Sequence, residues 1–167
     1  FLPTLTREEK FNLLSTLREA TEGKMFVERE YATCTRQLVE MLEADGKLEE
    51  AVKQIQEIQI ETYGSLENKE KVDFILYQMK LVLQRQDYVR LHILSKKIST
   101  RALAEEGLES SKILFYKFMV RYHVHEKDLL SASKAYQTIY DTVNKANPEL
   151  KAQLDPQGNE AKVSFQN

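Results

Sequence analysis

An all-α fold is predicted: a right-handed solenoid of antiparallel helix pairs, of the tetratricopeptide or HEAT-like kind, with a period near 40 residues. Three observations carry it. Proline occurs only as Pro3, Pro148 and Pro156, so nothing interrupts a helix between Leu5 and Asn147. Apolar residues recur at steps of three and four along most of that span, the helical period. One helical segment then returns three times, which is the mark of stacked repeats.

The elements follow in order. Thr6-Arg7-Glu8-Glu9 is a capping box that opens a first helix running to about Thr21. Val27, Tyr31, Cys34, Leu38, Met41 and Leu42 stripe a second helix, ending near Ala44. Gly46 follows it, placed to take the left-handed position past a helix end. Leu48, Ala51, Val52, Ile55 and Ile58 stripe a third, expected to reach Tyr63. The stretch "TYGS" then reads as a tight hairpin, with Gly64 left-handed at the helix end and Ser65 capping the next helix through its hydroxyl. A catalytic role for Tyr63 or Ser65 is the weaker reading, because no histidine lies near to act as a base.

The fourth helix carries two stripes. Val72, Ile75, Leu76, Met79 and Leu83 form one, and Phe74, Tyr77 and Leu81 the other. A helix apolar on two sides is covered on two sides. A fifth helix is expected from Tyr88 to Leu103 and a sixth from Ser110 to His125. A seventh carries Leu129, Ala132, Ala135, Tyr136, Ile139 and Val143. Helices are expected to meet near Gly23, Gly46, Gly64, Gln86, Gly107 and Lys127, and no alternating strand pattern competes.

The repeat aligns "KLEEAVKQIQEI", "DYVRLHILSKKI" and "DLLSASKAYQTI". Leu48, Tyr88 and Leu129 correspond, 40 and 41 residues apart, as do Ile58, Ile98 and Ile139. These six are the expected repeat core, with Ala51, Leu91 and Ala132 at the next shared position. No single helix pair can bury both its apolar faces alone, so the pairs must stack. Residues 5–146 are expected to form the solenoid, and residues 147–167 a loop and the clipped start of another helix.

Composition limits the function. Lys plus Arg total 24 against 26 Asp plus Glu, a formal net charge of −2, which is not the footprint of a nucleic-acid binder. No apolar run approaches the roughly 20 residues of a membrane span. Cys34 is the one cysteine, so no disulfide can form within the chain, which suits a reducing compartment. The start, "FLPTLTREEK", has no signal-peptide pattern and no initiator Met, so the sequence is expected to be a piece of a longer chain.

Catalytic and metal motifs are thin. His123 and His125 lie two apart, about 200° around a helix, so their imidazoles diverge. Metal ligands on one helix sit three or four apart. Cys34 lies on an apolar stripe and reads as a small core residue. No phosphate-binding or dinucleotide motif is present, and paired acids such as Glu49-Glu50 read as solvated helix surface. No catalytic, cofactor or metal site is assigned.

The segments "TEGKMFVERE", "DGKLEEAVKQIQEIQIETYGS", "FILYQMKLVLQRQDY" and "LSKKI" resemble the N-terminal helical part of PCI-family lid subunits of the proteasome regulatory particle. The likeness runs from about Leu13 to Thr142 and fades beyond Asn144. The winged-helix PCI module of that family has no counterpart in this sequence. The resemblance implies a non-catalytic scaffold in ubiquitin-dependent degradation, without cofactor, working in cytoplasm and nucleus. Its implied partners are neighbouring lid subunits including the deubiquitinase, and the core-particle outer ring. Nucleic acid, membrane and small-molecule substrates are not implied. Two alternatives stay open: a scaffold subunit of the related signalosome, and a peptide-binding helical-repeat adaptor.

Overall fold

The computed structural model describes residues 5–24 and 27–146. The order is α1 (Arg7–Thr21), α2 (Glu28–Ala44), α3 (Leu48–Gln56), a 3-10 turn (Ile60–Thr62), α4 (Asn68–Gln84), α5 (Tyr88–Lys97), a second 3-10 turn (Ala102–Ala104), α6 (Glu109–His125) and α7 (Leu129–Ala146). The described residues contain no strand. The expected segment 147–167 lies outside them. The chain forms two compact units, Phe1–Ser111 and Lys112–Asn167.

In the first unit each helix packs on the next, α1 on α2 and so on to α5. The α1 cap forms as its sequence specifies: the Thr6 N–H donates to Glu9 at 2.9 Å, and the Glu9 N–H returns to Thr6 Oγ1. Both stripes of α4 are covered, since Val72, Phe74, Ile75, Leu76, Met79, Leu81, Val82 and Leu83 are all buried. The centre of the core adds Val39, Ile55, Ile60 and Leu91. In the second unit Phe115, Phe118 and Val120 of α6 are buried, as are Ala132, Ala135 and Thr142 of α7.

Three helix ends share one geometry. Past α2, Gly46 sits at φ 73°, its N–H bonding Glu43 O at 3.0 Å, while the Lys47 N–H bonds Leu42 O at 2.9 Å. Those two bonds satisfy carbonyls that the helix leaves open, the Schellman arrangement. Gln86 past α4 and Lys127 past α6 repeat it at φ 59°, with Asp87 N–H to Val82 O and Asp128 N–H to His123 O. The joints at 46, 86 and 127 keep the spacing of the sequence repeat.

The Gly64 hairpin is corrected. Gly64 lies outside the left-handed region, and α3 stops at Gln56, well short of Tyr63. The cause is a spacing of two: Ile58 and Ile60 are both buried, and on one helix they would point about 200° apart. The chain unwinds so that both reach the core. Gln78, itself buried on α4, stabilises the unwound end by donating Nε2 to Ile55 O at 2.8 Å and Ile58 O at 3.2 Å. Ser65 does not cap α4 either. Glu67 holds that position, its N–H accepted by Glu70 at 3.0 Å, while the Ser65 hydroxyl donates to Glu28 at 3.2 Å. The fifth helix is likewise shorter than expected, ending at Lys97, with a 3-10 turn placing Leu103 in the core.

Of the expected repeat core, Ile58 and Ile98 are buried, and Leu48, Tyr88 and Ile139 are half-buried. Leu129 is corrected: it is 71% exposed. In its copy of the repeat the buried positions are Ala132 and Ala135, so the packed face of α7 is turned away from Leu129.

Candidate functional site

The residues singled out for chemistry stand apart. His123 Nδ1 lies 3.7 Å from Asp128, and His125 Nδ1 lies 3.1 Å from Glu126, so the two rings meet different carboxylates. Among the described residues no three His, Cys, Asp or Glu side chains are placed to hold a metal. Cys34 is half-buried, and burial, then the Glu30 charge, push its thiol up from the ordinary value, away from the reactive thiolate. Burial pushes Tyr63 up to about 12, leaving it a neutral phenol.

What the fold does assemble is a set of polar links between successive helix pairs. Arg18 of α1 pairs with Glu57 past α3, and Arg29 of α2 pairs with Glu70 of α4 at 2.9 Å. Arg90 of α5 reaches Gln56 of α3, and Lys97 pairs with Glu61 at 2.6 Å. Ser111 donates to Asp73 of α4 at 3.0 Å. These partners are 34 to 41 residues apart, one repeat of sequence.

The densest link is Glu43. It accepts Lys80 Nζ at 2.7 Å, Tyr77 Oη at 3.1 Å and Gln84 Nε2 at 3.1 Å, three donors on one stripe of α4. Arg36 and Lys80 also flank the Tyr77 ring, at 5.2 and 5.5 Å from its centroid. An acid in the last turn of a helix opposes the dipole. Burial also works against the Glu43 charge, yet the bonds from Lys80 and Gln84 outweigh it and hold the carboxyl below its ordinary value. Burial, reinforced by the Glu43 charge, pushes the Tyr77 phenol up. Sequence reasoning missed Glu43 and Gln78. The signal for Glu43 was the donor spacing of Tyr77, Lys80 and Gln84; for Gln78 it was an amide inside an apolar stripe.

The surface is polar along the groove between α3 and α5, where Lys53, Gln56, Arg85 and Arg90 line one open depression with Glu49 and Glu57. Bulky apolar side chains are exposed on α5, as Val89 and Ile93, and on α7, as Leu129, Leu130, Tyr136 and Tyr140.

Comparison with known families matches the PSMD12/CSN4 N-terminal model over residues 2–147. The 26S proteasome non-ATPase regulatory subunit 12 of Dictyostelium discoideum is 36% identical over 145 residues, 86% of this chain and 32% of that protein. The 26S proteasome regulatory subunit RPN5 of Saccharomyces cerevisiae is 37% identical over 139 residues, 83% of this chain and 31% of that protein. Homolog A of subunit 12 from Arabidopsis thaliana is 34% identical over 166 residues, covering 85% and 38%. The chain therefore spans about a third of the length of these relatives. With the family match running over residues 2–147 and the described residues helical without a strand, the chain belongs to the PSMD12/CSN4 N-terminal family.

Proposed function

We propose that the chain is a non-catalytic scaffold arm of the proteasome regulatory-particle lid, acting in ubiquitin-dependent protein degradation in cytoplasm and nucleus. In this reading residues 5–146 are a right-handed solenoid of antiparallel helix pairs. Its partners are other lid subunits, the deubiquitinase subunit among them, and the outer ring of the core particle. Leu48, Ile58, Tyr88, Ile98 and Ile139 contribute to its stacked core, and Gly46 shapes a repeated joint.

The observation that carries the reading is the register of the polar links, each joining positions one repeat apart, in a chain whose relatives are named for the 26S proteasome. Polar links of this register favour helix stacked on helix, the arrangement a support would use. The name of the Dictyostelium relative, a non-ATPase subunit, agrees with the absence of a phosphate-binding motif from this sequence.

The test is to tag the chromosomal copy, purify it gently and identify its companions by mass spectrometry. Stoichiometric regulatory-particle subunits are expected. Recovery of signalosome subunits, or of one client protein alone, would sink the proposal in favour of a signalosome scaffold or an adaptor.

A further inference from the structure

The second unit is basic within an acidic chain. Its described residues, 112–146, hold six Lys and Arg against three Asp and Glu, while the whole chain has a formal net charge of −2. α6 has no acid between Ser110 and His125. From Lys112 to His125 its exposed residues are Leu114, Lys117, Arg121, Val124 and His125, and the others are buried or half-buried. At 100° per residue the first four fall within about 80° of arc, so they form one stripe along the helix.

The stripe alternates in kind. Leu114, 41% exposed, and Val124, 52% exposed, stand at its ends. Lys117 and Arg121 stand between them, and neither has an ion-pair partner among the described residues. The acids of the unit are engaged elsewhere. Glu126 lies 3.1 Å from His125 Nδ1, Asp128 accepts the Ser131 N–H at 3.0 Å, and Asp141 accepts from Gln137 at 3.0 Å. Two unpaired cations are therefore framed by two apolar side chains on one face of one helix.

We propose that the Leu114–Val124 stripe of α6 docks an acidic amphipathic helix of another polypeptide. The stripe sets the chemistry of its partner. A wholly apolar surface would bury both cations without compensation. A free anion or a nucleic-acid backbone would leave Leu114 and Val124 in water. An extended peptide finds no strand edge among the described residues to satisfy its backbone, whereas a helix satisfies its own. Leu114 and Val124 lie ten residues apart, about 15 Å along the axis. The partner helix therefore carries apolar side chains about three turns apart, with carboxylates between them on the same face. The proposal rests on the scaffold reading for where the partner is found.

The test places a benzoylphenylalanine photocrosslinker at position 114 of the tagged cellular protein. The purified complex is irradiated, and the linked peptide is sequenced by mass spectrometry. The expected product joins position 114 to a segment of another subunit with that apolar–acidic–apolar pattern. Charge reversal by Lys117→Glu with Arg121→Glu should cut its yield about tenfold, while Lys117→Arg with Arg121→Lys should preserve it. Lys96→Glu, a reversal on α5, is the control for unspecific attraction and should leave the yield unchanged. Circular dichroism of each variant checks the fold, and Lys117→Gln with Arg121→Gln replaces the reversal if that variant does not fold. Linkage within this chain, to a second copy, to a neutral or basic segment, to nucleic acid or to nothing would overturn the proposal. So would a yield indifferent to charge reversal, or one lost equally in Lys96→Glu. Companion subunits are counted separately in the same purification. If they are present and the crosslink fails, only this docking site falls; if they are absent, the scaffold reading falls with it.

Discussion

Replacing Gln78 by methionine should cost about 2–3 kcal/mol of stability. The side chain is 1% exposed, and its Nε2 donates to the carbonyl of Ile58, which the early end of α3 leaves open, and to that of Ile55, which also accepts from the Glu57 and Ile58 N–H groups. Each net hydrogen bond contributes about 1 kcal/mol, and each buried acceptor left without a donor costs about 1–3 kcal/mol. Against this, methionine is of similar length and apolar, and the substitution also removes Gln78 Oε1, which has no partner among the described residues. Those gains offset only part of the loss: an apolar swap that conserves volume changes a core by less than about 1.5 kcal/mol. Gln84→Met on the exposed side of the same helix is the control, expected to cost less than Gln78→Met because its amide reaches only Glu43 among the described residues. For a chain of this size each kcal/mol moves Tm by about 2–4 °C, so calorimetry should show a drop of about 4–12 °C for Gln78→Met. Equal Tm values for wild type and Gln78→Met would refute the account of how the unwound turn is held.

Gly46→Ala should destabilise by about 1 kcal/mol in denaturant titration, because φ 73° strains any side chain, whereas Gly64→Ala should change little, since its backbone is outside that region and a Cβ there meets no atom within 4 Å. Gln86→Gly should be neutral to stabilising by up to about 1 kcal/mol, the relief of a left-handed residue at φ 59° being partly offset by the greater freedom of glycine in the unfolded chain; a clear loss would show that the Gln86 side chain itself is needed. Glu43→Gln should lower Tm at neutral pH, with the gap to wild type closing on acidification. The Glu43 carboxyl is depressed in the fold, so its stabilisation is complete above the ordinary 4.5 and is lost as pH falls through the folded value. A gap that persists unchanged well below that value would remove the charge from the explanation.

Helices and their joints were legible in the sequence because they depend on neighbours along the chain. The Thr6–Glu9 box, the stripe of α2 and the joint at Gly46 each lie within a few residues of their cause. The errors all involve residues whose partner is distant. The end of α3 is set by Gln78, more than twenty positions away in sequence, while the local evidence of Gly64 and Ser65 favoured a hairpin that the core did not permit. Ser65 is drawn instead to Glu28, and α4 takes its cap from Glu67. Leu129 fits the repeat by type, yet burial is decided by which face of α7 is packed, and Ala132 and Ala135 define that face. The candidate site follows the same division. An absence of catalytic spacing can be read from the sequence, but the exposure of Val89 and Ile93 cannot, because it depends on which faces of α5 the neighbouring helices cover. Periodicity marks both residues as ordinary members of a helix, and only the fold shows that they are left uncovered.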